Sequence, residues 1–139
     1  QLSYAWYAGG DELDASLLLL AIGRYDRPDA PRIRMTIEAI RRKLGTGVFL
    51  RRYAGDDGLA HGEGAFVCCS FWLAEALAIA GQRRDAEPLM DELVALANDV
   101  GLYAEEIEPA SRNFLGNFPQ GLVHLALISA AVALAQASR

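Results

Sequence analysis

The sequence predicts an all-α fold in which inner and outer helices alternate. Three observations point to it: five helical patterns, an alternation in their polarity, and an alternation in the length of the links between them. The patterns at about 11–22, 64–80 and 119–137 are apolar nearly all round, whereas those at about 29–44 and 85–97 have one apolar and one polar face. A helix buried on most sides has no use for a polar face, and a helix at the surface keeps one. A layer of inner helices wrapped by outer ones produces both kinds in turn.

The first helix is expected from Asp11 to Ile22, with Asp11, Glu12 and Asp14 suiting the positive N-terminal end of the helix dipole and Gly23 supplying a stop. The second starts near Asp29 as its cap, takes Pro31 in its first turn, and places Ile33, Ile37, Ile40 and Leu44 on one face. Arg34, Glu38, Arg41 and Arg42 form its outer face. The third opens near Gly64, reads AFVCCSFWLAEALAIA, and ends at Gly81. The fourth runs from Asp85 with Pro88 in its first turn, setting Leu89, Met90 and Leu93 against Glu87, Asp91 and Glu92. The fifth, GLVHLALISAAVALAQA after Pro119, is expected to be buried like the first and third.

The links after the apolar helices are short, 24–28 and 81–84, and those after the amphipathic helices are long, 45–63 and 98–118. Long links inside a compact domain are uncommon and often functional. In an antiparallel arrangement both long links and the segment 1–10 emerge at one end. That end gathers Trp6, Tyr7, Phe49, Arg52, Tyr53, His61, Glu63, Tyr103, Glu105, Glu106 and Phe118. Aromatic rings, an arginine and carboxylates converging on one mouth suit a sugar, whose ring faces stack and whose hydroxyls accept and donate hydrogen bonds.

Composition narrows the field further. With 53% hydrophobic and 22% charged residues the chain is expected to fold, and 18 acidic against 13 basic residues give a net charge of −5. No Lys/Arg cluster alternates with aromatics, so nucleic acid is excluded as a partner. The basic run Arg41-Arg42-Lys43 falls where cations complement a helix C-terminus. Cys68 and Cys69 are adjacent in an apolar run, where a bridge would be strained, and are expected to be buried free thiols. No apolar stretch reaches the length of a membrane span and residues 1–10 lack a signal peptide's pattern, so a cytoplasmic protein is expected, with no membrane partner. His124, among Leu122, Val123 and Leu125, reads as a hydrogen-bonded core histidine. Neither a metal nor a cofactor is expected, because no ligands are paired at helical spacing and Gly45-Thr46-Gly47 and Gly62-Glu63-Gly64 are too short for phosphate loops.

Glycoside hydrolysis needs two carboxyl groups flanking the scissile bond, an acid for the leaving oxygen and a carboxylate as base or nucleophile. Glu105, Glu106 and Glu108 are the acidic cluster of the second long link, and spacing alone does not choose among them. The stretches EGAFVCCSFWLAEALAIAG, ALANDVGLYAEE and GNFPQGLVHLALISAA, with the opening Asp11-Glu12-Leu13-Asp14-Ala15-Ser16 and Arg52-Tyr53, resemble the C-terminal part of glycoside hydrolase family 15. That family includes glucoamylases, glucodextranases and α,α-trehalases. The resemblance implies the C-terminal portion of an (α/α)6 barrel and an inverting reaction on α-glucosidic bonds, in maltooligosaccharides, α-glucans or trehalose.

The resemblance also implies roles. Glu105, which follows Ala104, falls on the family's general base, and Glu106 on its noncatalytic neighbour. Arg52 falls on an arginine that binds hydroxyls of the terminal glucose, a task suited to a planar fork of donors. Trp72 falls on a family aromatic, although a tryptophan within Phe71-Trp72-Leu73 also reads as core. Tyr53 and Trp6 complete the expected sugar-binding set. The family's general acid lies in an upstream Trp-Glu motif, and no such pair occurs in residues 1–139. The expectation is one catalytic domain with its N-terminal part absent here. This chain would supply the base, and its partners would be an α-glucoside or trehalose and the remainder of the domain. The alternative is a noncatalytic helical-repeat or sugar-binding interaction module, for which a constant-period consensus is lacking.

Overall fold

A computed structural model describes residues 3–54 and 64–137. Among these residues it holds five helices in the order the sequence predicts, with five strands of two residues each between them. The strands are not visible as a pattern in the sequence.

Helix α1 (Leu19–Ile22) is entered through a 3-10 turn, Ala15–Leu18. Helix geometry therefore starts four residues later than Asp11. The chain up to Asp14 is kept extended by a bridge between Asp14 and Tyr53 and by the Ala15 N–H donating to the Arg52 carbonyl at 2.7 Å. Of the three acidic residues only Asp14 acts at the helix start, its Oδ1 accepting from the Ser16 N–H at 2.7 Å.

Helix α2 (Pro31–Leu44) takes Pro31 at its first position, but its cap is Ala30, with no side-chain bond. Asp29 is engaged elsewhere, in a bidentate pair with Arg27 at 2.8 and 3.2 Å. Helix α2 ends in a hairpin of β1 (Gly45–Thr46) and β2 (Phe49–Leu50), turned by Gly47 at φ +62°.

Helix α3 (Val67–Ile79) begins three residues after Gly64, because Ala65–Phe66 is taken as strand β3. Almost all of it is buried, and Gly81, at φ +75°, closes it in the left-handed conformation. Helix α4 (Arg83–Val94) begins two residues before Asp85, so Pro88 sits in the second turn rather than the first. The hydrogen bond this proline cannot make lies on the exposed side, where Arg84 and Pro88 both face solvent. Strands β4 (Glu106–Ile107) and β5 (Phe114–Leu115) pair antiparallel with each other, and β4 pairs with β3, in the order β3-β4-β5.

Helix α5 (Gly121–Gln136) is capped by Gln120, whose side chain accepts from the Leu122 N–H. Here the expectation of all-round burial fails. Val123, Ala126, Ala130 and Ala133 are buried, while Leu122, Leu125, Ile128 and Val132 are exposed. Among the described residues α5 packs mainly on α3 and α4, which leaves another of its sides exposed.

Helix α3 is the centre of the molecule, flanked by α1 and α5 and covered from outside by α2 and α4. Ile33, Ile37 and Ile40 of α2, Phe71 and Leu77 of α3, and Leu93 of α4 share one core with Leu18 and Tyr103. The buried Glu75 of α3 is matched by the Ser129 hydroxyl of α5, which donates to it at 2.6 Å. No helix of the described residues is long and apolar enough to cross a membrane.

Candidate active site

The link between α4 and α5 is shaped by its own polar groups. Asn98 accepts from the Val100 and Leu102 N–H groups at 3.1 and 2.7 Å, and Gly101 turns the chain at φ +79°. Tyr103 then drops into the core. Its ring meets Phe71 and His124 edge to face at 5.6 and 5.5 Å, and its hydroxyl donates toward the carbonyls of Leu93 and Val94. Burial pushes this phenol above its ordinary value. From the other side the Gln120 N–H donates to the Tyr103 carbonyl at 3.0 Å.

Two residues on, Glu105 is fixed through its backbone. Its N–H donates to the Asn117 carbonyl at 2.9 Å and its carbonyl accepts from the Val67 N–H at 3.1 Å. Its side chain is held as well, with Oε2 accepting from Asn117 Nδ2 at 2.8 Å and from the Asn117 N–H at 3.2 Å. Gly116, at φ +71°, lets the chain pass close beneath it, since a Cβ there would lie 3.0 Å from Oε2.

The three glutamates are therefore not equivalent. Glu106 is half-buried and its Oε2 accepts from the Gly64 N–H at 2.8 Å, tying β4 to the start of β3. Glu108 is committed to its own turn, accepting from the Ser111 N–H at 2.7 Å. Bonds from the backbone of Ser111 and Ala110 hold its carboxyl below the usual range. Glu105 differs in that a side-chain amide, Asn117 Nδ2, grips its carboxylate together with a backbone N–H.

Arg52 and Tyr53 lie on the opposite link, directly after β2. The Arg52 guanidinium faces Asp14, with Nε 3.9 Å from Oδ2, and stands 5.9 Å from the Tyr53 ring centre. Arg52 and not Arg51 makes this pair. Tyr53 and Trp6 line one cavity of about 300 Å³ together with Glu12, Lys43 and Leu44. Trp6 is 58% exposed and meets Tyr7 edge to face.

The first turn of α3 joins the two halves. Val67 bonds Glu105, and the Glu105 carboxylate lies close enough to Cys68 to oppose its ionisation. On the other side Asp14 likewise opposes ionisation of Cys69, and Arg52 favours it. Both thiols are buried and free. Cys68 accepts from Cys69, which holds Cys68 below and, with burial, pushes Cys69 far above an ordinary thiol.

Two of the residues expected at the mouth lie in the core. Phe49 and Tyr103 are core residues, drawn inward because each has an apolar cage to fill. Trp72 is half-buried against the core. Phe118 is exposed and packs on Phe114 at 5.8 Å. His124 behaves as the sequence suggests, its Nδ1–H donating to the Gln120 carbonyl at 2.8 Å. His61 and Glu63 lie outside the described residues. Asn117 and the Asp14 contact to Arg52 are additions the sequence reading did not contain. For Asn117 the available signal is its place after Gly116, a pair suited to a left-handed turn that aims an amide back across the link.

Comparison with known proteins places this geometry in a family. The model of glycosyl hydrolases family 15 matches residues 1–132. The trehalase of Mycobacterium tuberculosis is 48% identical over 127 residues, covering 89% of this chain and 19% of that protein. The trehalase of Thermoplasma acidophilum is 38% identical over 136 residues, covering 97% of this chain and 23% of that protein. The chain thus spans about a fifth of the length of these curated relatives. Among solved structures, a wild-type glycosidase superposes with a TM-score of 0.84 at 22% identity, over 97% of this chain and 39% of its own. A variant glycosidase in complex with glucose superposes with a TM-score of 0.83 at 22% identity, over the same shares of the two chains. The match across residues 1–132 and the identity to the trehalases show that this chain belongs to glycosyl hydrolases family 15.

Proposed function

We propose that residues 1–139 form the C-terminal part of an (α/α)6 catalytic domain that hydrolyses α-glucosidic bonds with inversion, and that Glu105 is its general base. The observation behind this reading is the double contact of Asn117 on one oxygen of Glu105, through its side-chain amide and its backbone N–H, which fixes the carboxylate's direction. A base needs this, since it must draw a proton from one water held in line with the anomeric carbon. The remainder of the domain supplies the acid, at the roughly 6.5 to 9.5 Å separation that an inverting pair needs to admit that water.

Arg52, Tyr53, Trp6 and Trp72 are assigned to the sugar, Arg52 through hydroxyls and the aromatics through ring faces. Trehalose is the first substrate to try, because the curated relatives are named trehalases, with maltooligosaccharides and α-glucans as the other candidates. The test follows the anomers released from trehalose, by proton NMR, in the enzyme that carries this segment. Inversion gives one β-glucose and one α-glucose per bond cleaved, and release of the α-anomer alone would overturn the mechanism.

Asn117→Ala in the same enzyme removes the Nδ2 bond to Glu105 and leaves the backbone N–H contact in place. A hydrogen bond to a charged group contributes about 1.5–3 kcal/mol. The expected result is a fall in kcat of about tenfold or more with KM little changed, read by initial rates.

A further inference from the structure

We infer that Asp14 is a positioning residue that holds the Arg52 guanidinium in its sugar-binding attitude, an inference that rests on the assignment of Arg52 to substrate hydroxyls. Asp14 is 2% exposed, and a carboxylate so buried costs free energy unless its charge is answered. Its Oδ1 caps the turn at Ser16, but an asparagine or serine caps equally well, so capping does not call for a charge. The charge is accounted for by Oδ2, which faces Arg52.

The backbone makes the pair a fixed feature. The bridge between Asp14 and Tyr53 and the bond from the Ala15 N–H to the Arg52 carbonyl lock the two frames together, so neither residue shifts without the other. The Arg52 side chain is 57% exposed, and an arginine head in solvent samples many rotamers. Asp14 approaches it on the Nε side, and the Tyr53 ring flanks the same guanidinium. This leaves the two terminal amino groups presented together, the arrangement that binds a pair of adjacent hydroxyls. Asp14 thus acts on the sugar through Arg52.

The test is a double-mutant cycle in the full-length enzyme that carries this segment, with trehalose as substrate. Asp14→Asn and Asp14→Ser both keep a capping acceptor and remove the charge. Each is expected to raise KM about tenfold with kcat changed less than about twofold, while the thermal midpoint stays within a few degrees. Arg52→Ala is expected to raise KM at least as much, and adding Asp14→Asn to it to change nothing further. If Arg52→Ala raises KM but both Asp14 variants leave it unchanged, or if the two effects add in full, Asp14 does not position Arg52. If Arg52→Ala leaves KM unchanged, the assignment of Arg52 itself is wrong and the inference falls with it.

Discussion

Glu105→Gln in the enzyme that carries this segment is expected to lower kcat about 10²–10⁴-fold, the range that a positioned acid or base contributes. Glutamine keeps the shape of the side chain, and its carbonyl oxygen can still accept from Asn117. What it loses is the ability to take a proton from water. Binding should survive, so KM should move far less than kcat. Glu106→Gln is the companion, since a glutamine oxygen can also accept from the Gly64 N–H and keep β3 joined to β4. Near-normal trehalose hydrolysis is expected from it. Were the large loss to appear in Glu106→Gln instead, the base would lie one position further along.

Tyr103→Ala is expected to reduce stability by about 3–5 kcal/mol, the cost of deleting a fully buried aromatic. Tyr103 is wedged between Phe71 of α3 and His124 of α5, and its hydroxyl reaches the last turn of α4. One side chain thus binds three helices. Tyr103→Phe keeps the ring contacts and forfeits the hydroxyl, for which about 1 kcal/mol is expected. Chemical denaturation followed by circular dichroism separates the two. Because Glu105 is two residues away on the same link, the alanine variant should also lose activity before it unfolds, and the phenylalanine variant should not.

The helices were legible because each is long enough for its apolar pattern to show, from the isoleucines of α2 to the unbroken apolar face of α3. Their starting points were less so. Asp29 has the right chemistry for a cap, but Arg27 offers a bidentate partner nearer at hand. Gly64 and Ala65 are drawn into pairing with Ile107, more than 40 residues away, and no local periodicity announces a strand of two residues. The apolar sequence of α5 states what the helix needs, not what the described neighbours provide. At the site, spacing left three glutamates open and the family resemblance chose Glu105. The structure adds a physical distinction in what each carboxylate binds. For Asn117 the Gly116-Asn117 pair announces a turn, but the direction in which the turn aims the amide shows only in the fold.

The bond from Val67 to Glu105 has a consequence for how this site can be watched. The first amides of a helix have no acceptor within it. The N–H of Val67, first residue of α3, donates instead to the Glu105 carbonyl. Its exchange with deuterium is therefore governed by the seating of the link that holds the glutamate, while the later amides of α3 report on the helix. Slow exchange at Val67 marks the glutamate docked against the core. Fast exchange there, with Phe71 to Leu77 still protected, would mark a link that lifts while the fold stays closed, and would give the opening free energy of the site separately from that of the protein.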